Sequence, residues 1–469
     1  MIRLSKPLLV LVCVCLALRF AFFFVLAPWE SDVLQSTVMR NDAPDYHRLA
    51  TSLLAGDGYT RFGPDRPEAL RFPLFPFFVA GIYRLAGPNP WAVFVVQVLM
   101  DCATCLMLFG VCRRHLSERQ ALAAAFFYAI DPALIRHCSE LLTETVCVFL
   151  VVSAAFVFVP TGGRSPATFG RRRALVLGGV AGLATLSRPV CLFLPVVAGG
   201  YLLLSHRNRL RVGAVRCAIM FATVGLVLTP WIVRNKTVFG YASLSYASGY
   251  NLLWDVVVPM EMRHMKLGRA ETQKALVAEA DRLMVLEGVD PSRVSPFVWT
   301  GYWKRIALSR IGRDPIGFAG SWARGVVVTA LGLGSARLAE TLGLEVSGFY
   351  LRGHTSLSGA FRAFLGEKGK AELLLATALG GFLALSYLLV GLGILGGWNG
   401  PSRGVLLGFL GVAAYFILVP GPMGEARYRI PAIPFYLPAV GIGAMNTLDW
   451  VRRRFRRPDV LIGGQRGSP

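Results

Sequence analysis

Long apolar runs recur along the chain, and short polar loops separate them. Many of these runs approach the length of about 20 residues that an α-helix needs to cross the hydrocarbon core of a bilayer. The composition agrees, because 54% of the residues are hydrophobic and 16% are charged, whereas soluble proteins carry about 25% charged residues. The mean hydropathy of +0.54 is also high. We therefore predict an all-α polytopic membrane protein.

The apolar pattern predicts about ten transmembrane helices. They cover residues 7–28, 91–112, 121–135, 141–159, 174–187, 190–204, 214–231, 373–395, 405–419 and 433–450. The apolar segment 72–87 is shorter and contains prolines, so we expect an interfacial or re-entrant helix there. No small-residue cleavage site follows the first run, which favours an uncleaved helix over a signal peptide.

The basic residues give the chain a net charge of +22, and their distribution indicates membrane topology rather than nucleic-acid binding. They cluster in alternate loops, for example near residues 113–119, 171–173 and 207–216, and the intervening loops are richer in acids. The positive-inside rule then predicts that both termini lie in the cytoplasm. We expect the protein in the inner or plasma membrane. We expect the lipid bilayer as a partner and no nucleic acid.

The loops divide the chain into four parts. Residues 1–231 form an N-terminal transmembrane module, which includes a first outer loop at 29–90. Residues 232–370 form an outer-face helical region with juxtamembrane amphipathic segments. Residues 371–451 form the C-terminal transmembrane helices, and residues 452–469 form a basic cytoplasmic tail that we expect to rest on anionic lipid.

The nine cysteines indicate neither a disulfide framework nor a metal site. All of them lie in or beside apolar runs, where cysteine serves as a small packing residue. Cys102 and Cys105 have the CxxC spacing, but no second pair supports them as metal ligands. His264 and His354 are isolated in the outer region. We expect no metal and no other cofactor.

The polar stretch 41–76 is the most unusual part of the sequence. Seven acids lie between Trp29 and Arg71, and an apolar segment rich in Pro and Phe follows them. The topology places further ionisable groups on the same outer face, where charged residues near a membrane are candidates for function. These groups are Asp42, Asp45, Glu140, Glu144, Arg188, Arg234, Glu425, Arg427, Tyr428 and Arg429. The alternative interpretation is a set of ordinary interfacial charges at helix ends.

Carboxylates and arginines at one membrane face predict a particular chemistry. A carboxylate can act as general base for an incoming hydroxyl group. An arginine fork binds phosphate in a bidentate manner and stabilises the charge of a phosphate leaving group. We therefore predict transfer of a group from a phosphorylated lipid to an alcohol, with the lipid tail held in apolar grooves between helices.

The order of several motifs resembles the GT-C superfamily, in particular glycosyltransferase family 39, which includes protein O-mannosyltransferases and the lipid A aminoarabinose transferase. The motifs are NDAPDYHRLATSLLAGDGYT, RFPLFPFFVAGIYRLAG, LLTETV, LSRPVCLFLP, LTPWIVRNKTVFG and ARYRIPAIPFYLP. The resemblance implies a polyprenyl-phosphate sugar donor, a hydroxyl acceptor in a glycan, lipid or protein, and an aspartate of the first outer loop as the base. The family pattern of Asp and Tyr maps onto Asp42 and Tyr46, with Asp45 as the alternative base.

The resemblance also implies a second acid, and the other site assignments follow from the residue types at the outer face. The second acid, at the outer start of a helix, maps onto Thr143-Glu144, and Ser139-Glu140 offers a competing match. We assign Arg188, Arg234, Arg427, Tyr428 and Arg429 to the donor phosphate. We assign substrate contacts to Tyr46, Tyr59, Arg71 and Glu140.

Two observations keep other interpretations open. Many family members have a Pro-Gly-Tyr-Pro sequence where this chain has Phe-Pro-Leu-Phe-Pro after Arg71, which leaves the acceptor side undefined. A lipid or glycan transporter would also have about ten helices and buried charge. It would, however, place charges near the bilayer midplane and often show repeated halves, whereas here the charges collect at one face.

Overall fold

The computed structural model describes residues 5–160, 169–344, 369–398 and 403–455. Within these ranges the chain forms helices and turns, and an isolated bridge between Thr60 and Pro67 is the nearest approach to a strand. The basic tail beyond residue 455 lies outside the described residues. So does part of the outer region, residues 345–368, which contains His354.

The helices follow one another with short connections. The N-terminal module contains α1 Lys6–Leu26, α2 Ala43–Ala55, α3 Leu74–Ala86, α4 Pro90–Cys112, α5 Glu118–Ile130, α6 Pro132–His137, α7 Glu144–Phe158, α8 Arg171–Ser187, α9 Leu194–Ser205 and α10 Leu210–Phe239. The predicted outer region contains α11 Ala247–Asn251, α12 Val258–Met265, α13 Arg269–Leu286, α14 Pro296–Arg313, α15 Pro315–Leu331 and α16 Ser335–Thr341. The C-terminal helices are α17 Lys370–Gly397, α18 Arg403–Leu418 and α19 Ile433–Phe455.

The prediction of an all-α polytopic membrane protein is confirmed. Four helices in the described part of the chain are long and apolar enough to cross a membrane, namely α1, α4, α10 with its preceding turn, and α17. The pair α15 and α16, bent by 51°, is a fifth candidate if it forms one broken span. The number of ten spans stays a prediction, because α3, α7 and α18 are apolar but shorter than 18 residues.

Two helices differ from the predicted bounds for reasons visible in the sequence. The segment predicted as one helix, 121–135, is two helices, because Asp131 caps the backbone N–H groups of Ala133 and Leu134 and starts α6 at Pro132. Proline is tolerated in that first turn, since its missing N–H has no partner there. The helix predicted to end at Trp231 continues to Phe239 and ends at Gly240, whose φ of 80° suits glycine.

The first half of helix α19 is buried in the bundle, and its glycines let neighbouring backbones approach closely. A Cβ placed on Gly441 would lie 2.3 Å from the Gln120 carbonyl oxygen of α5. A Cβ on Gly443 would lie 2.1 Å from the Leu389 carbonyl oxygen of α17. Such small-residue contacts are how membrane helices pack without a hydrophobic driving force. They fix the start of α19, and therefore the loop before it, against α5 and α17.

A buried ion pair joins α1 to α4 within the apolar bundle. Arg19 Nε lies 2.5 Å from Asp101 Oδ2, and the two side chains are 0% and 2% exposed. Arg19 also donates to the Ala129 carbonyl oxygen at 2.7 Å, and the Tyr128 hydroxyl donates to Asp101 Oδ1 at 2.5 Å. Sequence reasoning overlooked this pair, although ionisable residues in the middle of two apolar runs were the available signal.

We expect Asp101→Leu to destabilise the protein strongly, because it leaves the Arg19 cation buried without its carboxylate. Breaking a buried pair from one side costs about 3–5 kcal/mol, whereas replacing both partners by apolar residues is often nearly neutral. The double variant Arg19→Met with Asp101→Leu should therefore regain much of the lost stability. Thermal unfolding of the detergent-solubilised variants measures this, and a double variant no better than Asp101→Leu would contradict the account.

Candidate active site

The predicted outer-face residues come from four separate segments that meet at one place. Asp42 and Asp45 lie at the start of α2, and Glu144 is the first residue of α7. Arg188 follows the last residue of α8, and Arg427 lies in the short 3-10 helix Ala426–Ala432 before α19. Contacts between their side chains, described below, link the first three segments to the last one.

Backbone geometry turns the Asp42 side chain into this cluster. Asn41 has a φ of 54°, a left-handed conformation that asparagine tolerates better than most residues. Asp42 occupies the N-cap position of α2, but its side chain makes no capping hydrogen bond. Its two carboxylate oxygens are therefore available to side chains from elsewhere in the chain.

Two arginines hold Asp42. Arg71 Nη2 lies 2.8 Å from Oδ1, and Arg427 Nη1 lies 2.9 Å from Oδ2. Burial by itself would raise the pKa of this carboxyl, but the charges of Arg71 and Arg427 outweigh that effect and hold the pKa below its ordinary value. Asp42 is thus a carboxylate at neutral pH, and 24% of its side chain is exposed.

Asp45 has a different set of partners. Arg71 Nη2 lies 2.8 Å from its Oδ2, and Arg61 Nη1 lies 2.7 Å from the same oxygen. Arg61 also pairs with Glu68, so Asp45 faces the interior of the first outer loop. Asp45 therefore belongs to a network that holds this loop together, while Asp42 connects the loop to the segment before α19.

A second acid pairs with a second arginine. Arg188 Nη1 lies 2.7 Å from Glu144 Oε1, and the Glu144 side chain is 2% exposed. Tyr428 adjoins both Arg188 and Arg427, because their guanidinium carbons are 5.8 Å and 5.4 Å from its ring centroid. Cations at such distances are attracted to the face of an aromatic ring. Tyr428 thus keeps the two guanidinium groups close to each other.

Arg427 has a second carboxylate partner, Glu425, which the sequence predicts on the outer face without assigning it a role. Its Nε lies 2.7 Å from Glu425 Oε2, and the other oxygen of Glu425 lies 2.5 Å from Arg337 Nη2 of α16. The loop that carries Glu425 packs tightly on α15, since a Cβ on Gly325 would lie 2.0 Å from the Gly421 carbonyl oxygen. The local sequence gave no sign of Arg337, which comes from a distant helix.

Tyr46 packs beside the cluster and contacts Arg71. Its ring packs edge-on against Phe75 at a centroid distance of 4.9 Å, and the Arg71 guanidinium lies 5.6 Å from its centroid. Burial raises the pKa of Tyr46 to about 12. The phenol therefore stays neutral, and its contacts orient Arg71.

Arg234 and Tyr59 lie together but contact the backbone of the first outer loop rather than Asp42. Arg234 Nη1 donates to the Glu68 carbonyl oxygen at 2.7 Å, and Nη2 donates to the Tyr59 carbonyl oxygen at 3.3 Å. The Tyr59 hydroxyl donates to the Arg71 carbonyl oxygen at 2.9 Å. These two residues fix the loop that presents Arg71.

Arg429 and Glu140 also have local partners. Arg429 Nη1 donates to the carbonyl oxygens of Ala330 and Gly332 at 2.8 Å and 2.9 Å, so the arginine caps the C-terminal end of α15. Glu140 Oε1 lies 3.4 Å from Arg136 Nε, and its Oε2 lies 3.4 Å from His137 Nε2. In the described part of the chain, neither residue forms an ion pair with the acids and arginines around Asp42.

The helices enclose two cavities, of which the smaller adjoins the cluster. A small one of about 40 Å³ lies between Arg136, Arg427, Arg429 and the bend that joins α15 to α16. A larger one of about 170 Å³ lies between α7, α8, α9, α18 and α19. Its lining is apolar and includes Phe158, Leu194, Tyr201, Met220, Phe409 and Phe435.

Comparison with known proteins agrees with the sequence resemblance. Residues 65–233 match the family model described as dolichyl-phosphate-mannose-protein mannosyltransferase. This region contains Arg71, Glu144 and Arg188 but not Asp42 or Arg427, and it spans roughly a third of the chain. No curated protein sequence matches the chain.

A solved structure shares the fold of this chain, and a second one gives a weaker match. An oligosaccharyltransferase of Archaeoglobus fulgidus, solved with zinc and sulfate, aligns over 96% of this chain with 15% identity and a TM-score of 0.51. The chain spans only 50% of the length of that archaeal protein. ArnT from Cupriavidus metallidurans, solved with undecaprenyl phosphate, aligns over 94% of this chain and 77% of its own length, with 14% identity and a TM-score of 0.42. The chain therefore has the fold of the archaeal oligosaccharyltransferase, and its residues 65–233 are similar to the mannosyltransferase family.

Proposed function

We propose that this protein is a membrane glycosyltransferase, which transfers a sugar from a polyprenyl-phosphate donor to a hydroxyl group of an acceptor at the outer face of the membrane. One observation carries the proposal. Asp42 pairs with Arg427, and the neighbouring Tyr428 adjoins both Arg427 and Arg188, which pairs with Glu144. A carboxylate for a hydroxyl proton therefore lies beside arginine forks suited to a phosphate.

Asp42 acts as the general base in this proposal. Its carboxylate accepts the proton of the acceptor hydroxyl as the oxygen bonds to the anomeric carbon of the sugar. The bond between that carbon and the phosphate oxygen breaks, and the polyprenyl phosphate leaves with the electron pair. Asp42 is a better candidate than Asp45, because Asp45 faces Arg61 within the loop while Asp42 is joined to Arg427.

Arg188 and Arg427 bind the phosphate of the donor and stabilise the negative charge that develops on it. Glu144 holds Arg188 in place through the contact at 2.7 Å, and Tyr428 orients both guanidinium groups. Arg234 and Arg429 are assigned supporting roles, since their nitrogens already donate to backbone carbonyl oxygens. Arg71 orients Asp42, and Tyr46 orients Arg71.

The polyprenyl chain binds in the larger apolar cavity. This cavity has a volume of about 170 Å³. Two of the helices that line it, α7 and α8, have one end at the cluster, because Glu144 begins α7 and Arg188 follows α8. Apolar side chains without charged groups suit an isoprenoid chain, which is bound by removal of apolar surface from water. Phe435, seven residues after Tyr428, lines the cavity on the side of α19.

A transporter remains the alternative class, and the buried pair Arg19–Asp101 is the feature that a transporter would need. Transporters place ionisable residues at membrane depth along a substrate path. Arg19 is 0% exposed and its nitrogens donate to Asp101 and to backbone carbonyl oxygens. A pair packed and bonded in this way stabilises the bundle, so no specific observation favours transport.

Sidedness follows from the charge pattern and can be measured. In intact cells, we expect Asp57→Cys to react with a membrane-impermeant thiol reagent, because Asp57 lies in the exposed turn after α2. Arg172→Cys, in the exposed first turn of α8, should react only after the membrane is opened. The protein without either change is the control, since eight of its nine cysteines are buried and Cys13 lies in α1. The reverse labelling pattern would move the site to the cytoplasmic face.

The function itself can be tested in cells. Mass spectrometry of envelope glycans, lipids and proteins should show a sugar modification that disappears when the protein is removed. Asp42→Asn in its place should fail to restore the modification at equal membrane abundance. An unchanged envelope in both strains, under conditions where the protein is expressed, would contradict the proposal.

A further inference from the structure

The arginines proposed to bind the donor phosphate are already paired with acids. Arg188 pairs with Glu144, and Arg427 pairs with both Asp42 and Glu425. A phosphodiester brings a further negative charge into this network. At least one carboxylate must therefore give up its contact with an arginine when the donor binds.

Burial and partners identify the carboxylate that is easiest to displace. Glu144 is 2% exposed and has Arg188 as its ion-pair partner, so its release would leave a buried charge. Glu425 is 28% exposed and has a second partner, Arg337, which is itself 32% exposed. A partly exposed carboxylate that keeps a second partner is easier to displace than a buried carboxylate whose ion pair is broken.

The position of Glu425 on Arg427 is also the suitable one. Arg427 Nη1 contacts Asp42, and Nε contacts Glu425. Displacement of Glu425 frees the Nε side of the guanidinium while the contact to Asp42 stays in place. Gly424 precedes Glu425 with a φ of 26°, and the carboxylate can remain bound to Arg337 after it leaves Arg427.

We propose, on the basis of the proposed function, that Glu425 is the exchangeable counter-ion of Arg427 and that the donor phosphate takes its place. Glu425 is then a positioning residue, which keeps Arg427 charged, extended and close to Asp42 while the site is empty. Arg337 is the residue that receives Glu425 after the exchange.

Binding of undecaprenyl phosphate to the purified protein tests the exchange. Glu425→Gln removes the competing charge, so we expect it to bind this lipid about two- to fivefold more tightly than the unaltered protein. Arg337→Gln should have the opposite effect, because Glu425 then has Arg427 as its remaining ion-pair partner among the described residues. If Glu425 and Arg337 only stabilised the fold, both variants would bind the lipid more weakly.

Two further variants make the test specific. In an Arg427→Gln background, Glu425→Gln should leave the affinity unchanged, because its effect passes through Arg427. Glu287→Gln is the matched control, since it removes the same charge from an exposed pair with Arg305 in the outer region. Its affinity should equal that of the unaltered protein.

The outcomes separate this inference from the proposed function. Equal or weaker binding by a folded Glu425→Gln variant, or tighter binding by Arg337→Gln, would overturn the exchange and leave the glycosyltransferase proposal standing. Absence of undecaprenyl phosphate binding by the unaltered protein would overturn the proposed function, and the exchange with it.

Discussion

Replacement of Asp42 by Asn should lower turnover by a factor of about 10² to 10⁴, with the protein still folded and inserted. The amide keeps the shape of the side chain and can still accept a hydrogen bond from Arg71 or Arg427, but it cannot take up the acceptor proton. Binding of undecaprenyl phosphate should persist, since Arg188 and Arg427 remain. The measurement is the initial rate of sugar transfer at saturating donor.

Asp45→Asn is the matched control for this result. Asp45 has the same chemistry and shares Arg71, but its other partner, Arg61, belongs to the first outer loop. We expect a smaller loss of turnover, together with lower thermal stability. Loss in Asp45→Asn with near-normal activity in Asp42→Asn would assign the base to Asp45, and normal activity in both would remove this loop from the chemistry.

The pH dependence of the unaltered enzyme provides a check on Asp42. The pKa of Asp42 lies below the ordinary aspartate value. The side chain therefore stays ionised as the pH falls towards the ordinary value. Activity at limiting donor should therefore not decline at mildly acidic pH through protonation of Asp42.

Arg427→Lys should lower the efficiency of donor use at least tenfold, which corresponds to about 1.4 kcal/mol of transition-state stabilisation. Lysine retains the charge but has a single nitrogen. It therefore cannot contact Asp42 and a second oxygen acceptor at the same time with the fork geometry that Arg427 provides through Nη1 and Nε. The loss should appear in kcat/KM for the donor and in the affinity for undecaprenyl phosphate. Arg172→Lys, at the opposite end of α8 from Arg188, is the control and should have no effect.

Arg429→Lys tests whether Arg429 and Arg427, two arginines of the same motif, have different roles. Arg429 donates to carbonyl oxygens at the end of α15 and is 6% exposed. Its replacement should lower thermal stability, with donor affinity reduced no more than stability explains. Full activity in Arg427→Lys would contradict the phosphate assignment and leave Arg188 as the candidate.

Much of the fold could be predicted from the sequence because apolar runs report burial in lipid directly. The positions of α1, α4, α17 and α19 follow from such runs, and Glu144 begins α7 where the Thr-Glu pattern indicated. The continuation of α10 to Phe239 was not predicted, because Pro230 and polar residues from Arg234 onward usually mark a helix end. Tertiary contacts of Trp231 and Arg234 with the first outer loop stabilise this last part.

The site could be predicted in part, because topology brings distant polar residues to one face but does not determine their partners. The segments carrying Asp42, Glu144, Arg188 and Arg427 were identified, and their side chains are linked in the structure. The roles of Arg61, Arg337 and Glu425 as partners were not, since each depends on a contact between segments that no spacing rule connects. Arg429 looked equivalent to Arg427 in sequence. It lies two residues further along the 3-10 helix, however, and its side chain contacts the end of α15.

The most direct test of glycosyl transfer is the fate of the donor in vesicles that contain the purified protein. Vesicles are loaded with a panel of polyprenyl-phosphate sugars and supplied with an envelope extract as a source of acceptors. We predict that one donor is converted to free polyprenyl phosphate, that its sugar appears on a hydroxyl group of an acceptor, and that Asp42→Asn vesicles leave it intact. Movement of the donor across the vesicle membrane with its glycosidic bond unbroken would contradict the account.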